Sequence, residues 1–277
     1  MIIVILAILG LIFGSFVNAF VWRLHKQELL RGKSGKKTQQ ELKKLSITTG
    51  RSMCSSCGHE LAPKDLVPIL SWLWLRGKCR YCHVRIEDSP LVELVTSSLF
   101  VISFIFWPLT LHSIGIFQFI VWLIFIVAFM CLAVYDLRWF LLPDKVVFPL
   151  IAIALVQIAV VTISTTGWSV IWEPFLGAFI ISGLFYALFK TSDGKWIGGG
   201  DVKLAVVLGL LAGSPLRAIL IIFFASLVGT VLSLPLLLKS SSNLRAKVPF
   251  GPFLLFACVV VVLFGERIVS WYTKILL

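Results

Sequence analysis

Apolar residues fill the chain in long blocks, broken by short polar stretches and by one long one, residues 23–90. Blocks of about 20 apolar residues are long enough to cross a bilayer, and only helices can do so as single segments. The pattern predicts spans at 1–22, 91–111, 115–135, 146–165, 172–189, 202–213, 216–238 and 250–271. The expected fold is an all-α polytopic membrane protein with about eight transmembrane helices. Residues 202–213 are short for a crossing and end at Ser214-Pro215, so a short or partly unwound helix beginning at Asp201 is expected there. The first block has no basic stretch ahead of it and no small-residue cleavage site behind it. Arg23 follows instead, which predicts a retained span rather than a removed signal.

Composition changes the picture only in degree. The chain is 59% hydrophobic and 14% charged, where a soluble domain is about a quarter charged. The charge balance says more. A net charge of +12 would suggest nucleic acid in a soluble protein. Here 14 Lys and Arg lie in residues 23–90, and 22 of the 25 fall on one side when the amino terminus is placed outside. Positive charge in short loops marks the cytosolic face, so the charge reports topology and membrane lipid, not a nucleic acid partner. Reading 202–238 as one crossing would put the basic 239–248 loop outside, against that rule. The expected organisation is a first span (1–22), a cytosolic basic insertion with a cysteine lobe (23–90), and a multi-helix membrane core (91–277).

Within the polar segment, residues 25–52 read as irregular and lipid-hugging, with a short helix over Gln39–Leu45. Cys54-x-x-Cys57 and Cys79-x-x-Cys82, separated by 21 residues, match a four-thiolate zinc site. Four sulfurs leave no open position for water, so the metal is structural. His59 and His83 stand beside the knuckles as loop residues, and Cys131 and Cys258 read as small core residues. Between the knuckles, Leu66 to Leu75 is too short to span and fits an interfacial helix. In the first span Gly14 and Ser15 suit close helix contact, while Asn18 must find a partner in the bundle. Glu93 pairs with a loop cation or meets a cationic substrate, and with Glu87 and Asp88 it could attract a basic peptide.

Three aspartates stand at span edges. Asp144, behind Pro143, reads as a helix cap. Asp136 has no such explanation, although Arg138 could be its ion-pair partner. Asp201 follows Gly198-Gly199-Gly200; it either caps the next helix or works, with glycines admitting positive φ and a close substrate backbone. Asp136 and Asp201 fall on the same membrane side, and two carboxylates a few Å apart cannot both ionise easily. Such a pair supplies a base for water and an acid for a departing amine. Asp201, at a helix amino terminus, is then the ionised partner and Asp136, at a carboxyl end, carries the shared proton. Peptide hydrolysis at the cytosolic face follows. A transporter using both aspartates as ion sites, or a methyltransferase with an idle pair, are the other readings.

The chain resembles the type IV prepilin peptidases, bacterial members of the Gly-x-Gly-Asp intramembrane aspartic proteases. The resemblance runs through Gly14-Ser15-Phe16 with Asn18 and Arg23, the paired Cys-x-x-Cys loop, Asp136 separated by six residues from Pro143-Asp144, and Gly198-x-Gly200-Asp201. It implies that Asp136 and Asp201 are the catalytic pair and Asp144 is not. It implies cleavage of the basic leader of prepilins or pseudopilins, serving a type IV pilus or type II secretion, at the bacterial inner membrane. It also implies N-methylation of the new amino terminus with S-adenosylmethionine, with Gly77 and Lys78 linked to that step. The chain departs from the family in its longer 26–50 insertion and in Ala19-Phe20.

Overall fold

Where the chain is apolar it is helical, and the described residues contain no strand beyond two isolated bridges. The computed structural model describes residues 1–31, 36–47, 50–86, 89–165, 169–239 and 248–276. The helices are α1 (Ile2–Leu30), α2 (Lys36–Lys44), α3 (Leu70–Trp74), α4 (Leu91–Ile105), α5 (Ser113–Trp139), α6 (Asp144–Thr165), α7 (Ser169–Thr191), α8 (Gly199–Ala212), α9 (Pro215–Lys239) and α10 (Gly251–Leu276). They form two units, Met1–Ile105 and Phe106–Leu277.

In the first unit α1 runs for 29 residues, well past the expected end at 22. Residues 25–30, expected to be irregular, stay helical because that face has work to do. Leu24 is buried, the Gln27 amide donates to the Leu45 carbonyl at 2.9 Å, and the Arg23 guanidinium donates to the Ser46 carbonyl at 3.2 Å. Carbonyls at and just beyond the end of α2, which that helix itself cannot satisfy, thus find donors on α1. Helix α2 matches the short helix read from residues 39–45. Helix α4 lies against α1 with backbones in contact. A Cβ on Gly10 would sit 2.5 Å from the Ser97 Cα, and one on Gly14 would sit 2.5 Å from the Glu93 Cα. Glycines four apart share one helix face and let a neighbour this close. Helix α4 stops at Ile105, short of the expected 111, because Trp107 precedes Pro108 and such a residue is driven out of helical φ/ψ.

The second unit is built around α8, which touches α6, α7, α9 and α10. Its Leu204, Ala205, Val207 and Leu208 are wholly buried. Gly209 packs directly on the Ala178 backbone of α7. Among the described residues six helices (α1, α5, α6, α7, α9 and α10) are long and apolar enough to cross a membrane. The other two expected spans, α4 and α8, are only 15 and 14 residues long.

Candidate active site

Asp136 sits in the last turn of α5. The helix closes at Phe140, which takes a left-handed φ of 56° and donates its N–H to the Asp136 carbonyl at 2.8 Å. The side chain of Asp136 is buried, 6% exposed. The Arg138 guanidinium lies over the Trp139 ring at 6.0 Å from its centroid.

Asp201 is the third residue of α8, which starts at Gly199, two residues earlier than expected, with Gly198 as its cap. Its Oδ2 accepts the Gly198 N–H at 3.3 Å. The modest reading of Asp201 as a capping group is therefore true of one oxygen, and Oδ1 lies outside that bond. The glycines behave differently from expectation. Gly198 has an ordinary φ of −75°, and the described left-handed glycines are Gly58, Gly77, Gly194 and Gly213. Gly200 is needed for room instead, since a Cβ there would lie 3.0 Å from the Leu142 side chain.

The two carboxylates come close enough to interact electrostatically. Asp136 also receives the backbone N–H of Gly251, in the first turn of α10. This removes the contrast drawn from the sequence. Both carboxylates meet a backbone donor at a helix amino terminus, so helix ends alone do not assign the proton, and the pair titrates as a unit. Gly251 was missed because it follows the polar 239–248 loop and carries no side chain to mark it. The only signal was a glycine between Phe250 and Pro252 at the mouth of an apolar block.

Asp144 lies outside this pair. It is the first residue of α6, and the Pro143 carbonyl, not the Asp144 side chain, takes the Val147 N–H at 3.2 Å. The expected cap is replaced by an ion pair. Lys203 reaches both Asp144 oxygens, at 2.7 and 2.8 Å, and lies 5.4 Å from the Phe148 ring centroid. The pair ties the start of α6 to the first turn of α8. Both groups are roughly half exposed, which limits its worth to about 0–1 kcal/mol.

In the first unit the sulfurs of Cys54, Cys57, Cys79 and Cys82 all lie within 4.8 Å of one another, with Cys54 and Cys82 at 3.8 Å. A tetrahedral zinc with bonds of about 2.3 Å sets sulfurs roughly 3.8 Å apart, so the cluster fits the ion. The knuckles repeat one design. Cys54 N–H donates to His59 and Cys79 N–H to Val84, while Gly58 and His83 occupy matching left-handed positions at φ 70° and 58°. His59 stacks on Tyr81 at 3.7 Å between ring centroids, apart from the sulfurs. Around α3, Leu70, Leu73 and Trp74 are 64%, 58% and 86% exposed, an apolar surface turned outward where an interfacial helix was expected.

Beside this lobe is a cavity of about 180 Å³ lined by Asn18, Arg23, Trp72 and Glu93 among others. Asn18 donates to the Ser89 carbonyl at 3.5 Å, but its buried Oδ1 has no hydrogen-bond partner among the described residues. Glu93 accepts the Ile69 N–H at 2.6 Å, holding a residue with φ 59°. Gly77 and Lys78 do not line the cavity. Gly77, at φ 70°, turns the chain, and a Cβ there would sit 3.1 Å from the Trp72 ring. Glu87 and Asp88 lie outside the described residues.

Residues 8–107 match the Bacterial Peptidase A24 N-terminal domain, and residues 123–234 match the Type IV leader peptidase family. The chain is 31% identical to the prepilin leader peptidase/N-methyltransferase of Aeromonas salmonicida over 282 residues, 97% of this chain and 92% of that protein. It is 30% identical to the protein of that name from Bacillus subtilis over 274 residues, 99% and 98% of the two chains. A third, from Xanthomonas campestris pv. campestris, is 34% identical over 282 residues, 96% and 92%. No solved structure matches significantly.

Proposed function

Because the chain belongs to the type IV leader peptidase family, we propose that it is a prepilin peptidase and N-methyltransferase that cleaves the short leader of prepilins or pseudopilins. Asp136 and Asp201 are its catalytic aspartates, working at the cytosolic face of the bacterial inner membrane. The observation that carries this reading is that two carboxylates delivered by different helices, α5 and α8, lie near enough to influence each other electrostatically. One carboxylate takes a proton from water as its oxygen attacks the scissile carbonyl, and the other, protonated, donates to the carbonyl oxygen. When the C–N bond breaks, the proton taken from water passes to the departing amine. Gly198 and Gly200 shape the loop beside Asp201, and Gly200 holds it against Leu142.

Zinc at Cys54, Cys57, Cys79 and Cys82 holds the knuckles together and takes no part in either reaction. S-adenosylmethionine supplies the methyl group to the new amine. The cavity of the first unit suits such a donor: Asn18 offers an acceptor with no partner among the described residues, Glu93 a carboxylate for cationic groups and Arg23 a guanidinium for a carboxylate. Gly77 and Lys78 act on this step from behind, through the Trp72 ring and the second knuckle.

The test is incubation of the purified protein with a prepilin and S-adenosylmethionine, with mass spectrometry of the product amino terminus. A cleaved, methylated terminus is expected, and an uncut prepilin would overturn the reading. The orientation has its own check. A cysteine at position 38 should resist impermeant labelling from outside, and one replacing His112 should be labelled, because the basic 23–90 segment opposes translocation. The opposite pattern would refute the cytosolic site.

A further inference from the structure

The geometry points to Gly251 as the positioning residue of the aspartic site. The inference rests on the proposed pairing of Asp136 with Asp201 and adds a third chain segment to it. Phe250 immediately precedes α10, its carbonyl accepting the N–H groups of Phe253 and Leu254 at 3.1 and 3.2 Å. Gly251 therefore stands in the first turn, where N–H groups have no partner within their own helix. Its N–H goes to the Asp136 carboxylate. Gly251 is itself buried, and a Cβ at this position would lie 2.5 Å from Asp136 Oδ2 and 3.3 Å from its Cγ. Real Cβ atoms do not approach that closely.

The glycine is thus required by proximity and not by an unusual φ, since Gly251 is absent from the left-handed glycines. A backbone donor is a fixed group. It sets one oxygen of Asp136 in place and leaves the other to share the proton with Asp201. A carboxylate at the end of a helix would otherwise be free to turn about its χ angles, and a displacement of about 1 Å in a catalytic group costs on the order of 100-fold in rate. Helix α10 packs on both α5 and α8, the helices that carry the two aspartates. Its amino terminus is the natural place from which to register one against the other.

The expected result for Gly251→Ala follows from which atoms meet. The nearest neighbour of the added methyl is the end of a short side chain, so the low-energy response is rotation of the Asp136 carboxylate. The fold survives that and the chemistry does not. With purified protein and a prepilin substrate, kcat should fall about 100-fold while KM and the melting temperature stay near wild type. Gly209→Ala is the contrast, because its methyl meets the Ala178 backbone, which cannot rotate away. It should lower the melting temperature. Wild-type kcat in Gly251→Ala, or a melting temperature lowered as far as in Gly209→Ala, would overturn the role. Asp136→Asn, measured alongside, separates the failures. If it still cleaves, the aspartic reading itself is wrong. If it is inactive while Gly251→Ala is normal, only the role of Gly251 falls.

Discussion

Asp136→Asn and Asp201→Asn should each abolish leader cleavage, while Asp144→Asn keeps most of it. An amide cannot exchange a proton with water on the catalytic timescale, so either replacement leaves half an acid–base pair. General acid–base catalysis contributes typically 100- to 10,000-fold, and losing it sets roughly that scale. The amide is nearly isosteric with the carboxylate. In Asp201→Asn the Gly198 N–H, now 3.3 Å from Oδ2, can still meet a carbonyl oxygen, so the start of α8 is retained. Asp144 differs because its partner is Lys203, in an exposed ion pair whose loss costs about 1 kcal/mol at most. Initial rates in detergent for the three variants decide the matter. Near-normal cleavage by either of the first two would sink the dyad. A dead Asp144→Asn beside an active Asp136→Asn would show that the partner of Asp201 is Asp144.

Removing the metal should have the next largest effect. The purified chain should carry zinc in equimolar amount, and Cys54→Ser with Cys79→Ser should lose it. Apart from the His59–Tyr81 stack, the knuckles are held by little else. Among the described residues each has one isolated β-bridge, and the lobe's local ion pairs are Arg51–Glu60, largely exposed, and Arg80–Asp65, the latter with a buried carboxylate. A structural zinc contributes on the order of 10 kcal/mol to its fold, far more than those contacts. Chelation should therefore open residues 50–86 to proteolysis while leaving the helices of the second unit protected. Elemental analysis finding no zinc in the wild type, or equal zinc in the double variant, would refute the site.

What the sequence made legible follows from which signals are local. Apolar blocks name helices because the period and length are written in consecutive residues, and α5, α6, α7 and α10 lie close to where they were read. Boundaries set by distant contacts were not legible. The extension of α1 to Leu30 depends on carbonyls at residues 45 and 46. The paired Cys-x-x-Cys motif declares a metal because four thiols in that spacing have few other uses. The two aspartates were legible as charges with no local explanation. The third group at the site was not, since a backbone N–H has no letter in the sequence and Gly251 differs from other glycines only through what α5 presents to it. Asp144 was misread as a cap for the same reason: its partner is 59 positions away.

The length of helix α8 has a consequence across the depth of the bilayer. Its 14 residues rise about 21 Å, against a hydrocarbon thickness of about 30 Å. The helices around it, α6, α7, α9 and α10, are 22 to 26 residues long, and α8 falls short of all of them. Its buried residues face those helices and not lipid, so the shortfall lies within the protein. The proposed hydrolytic carboxylate, Asp201, thus stands on a helix shorter than its neighbours, where the shortfall is bounded by protein walls rather than by acyl chains.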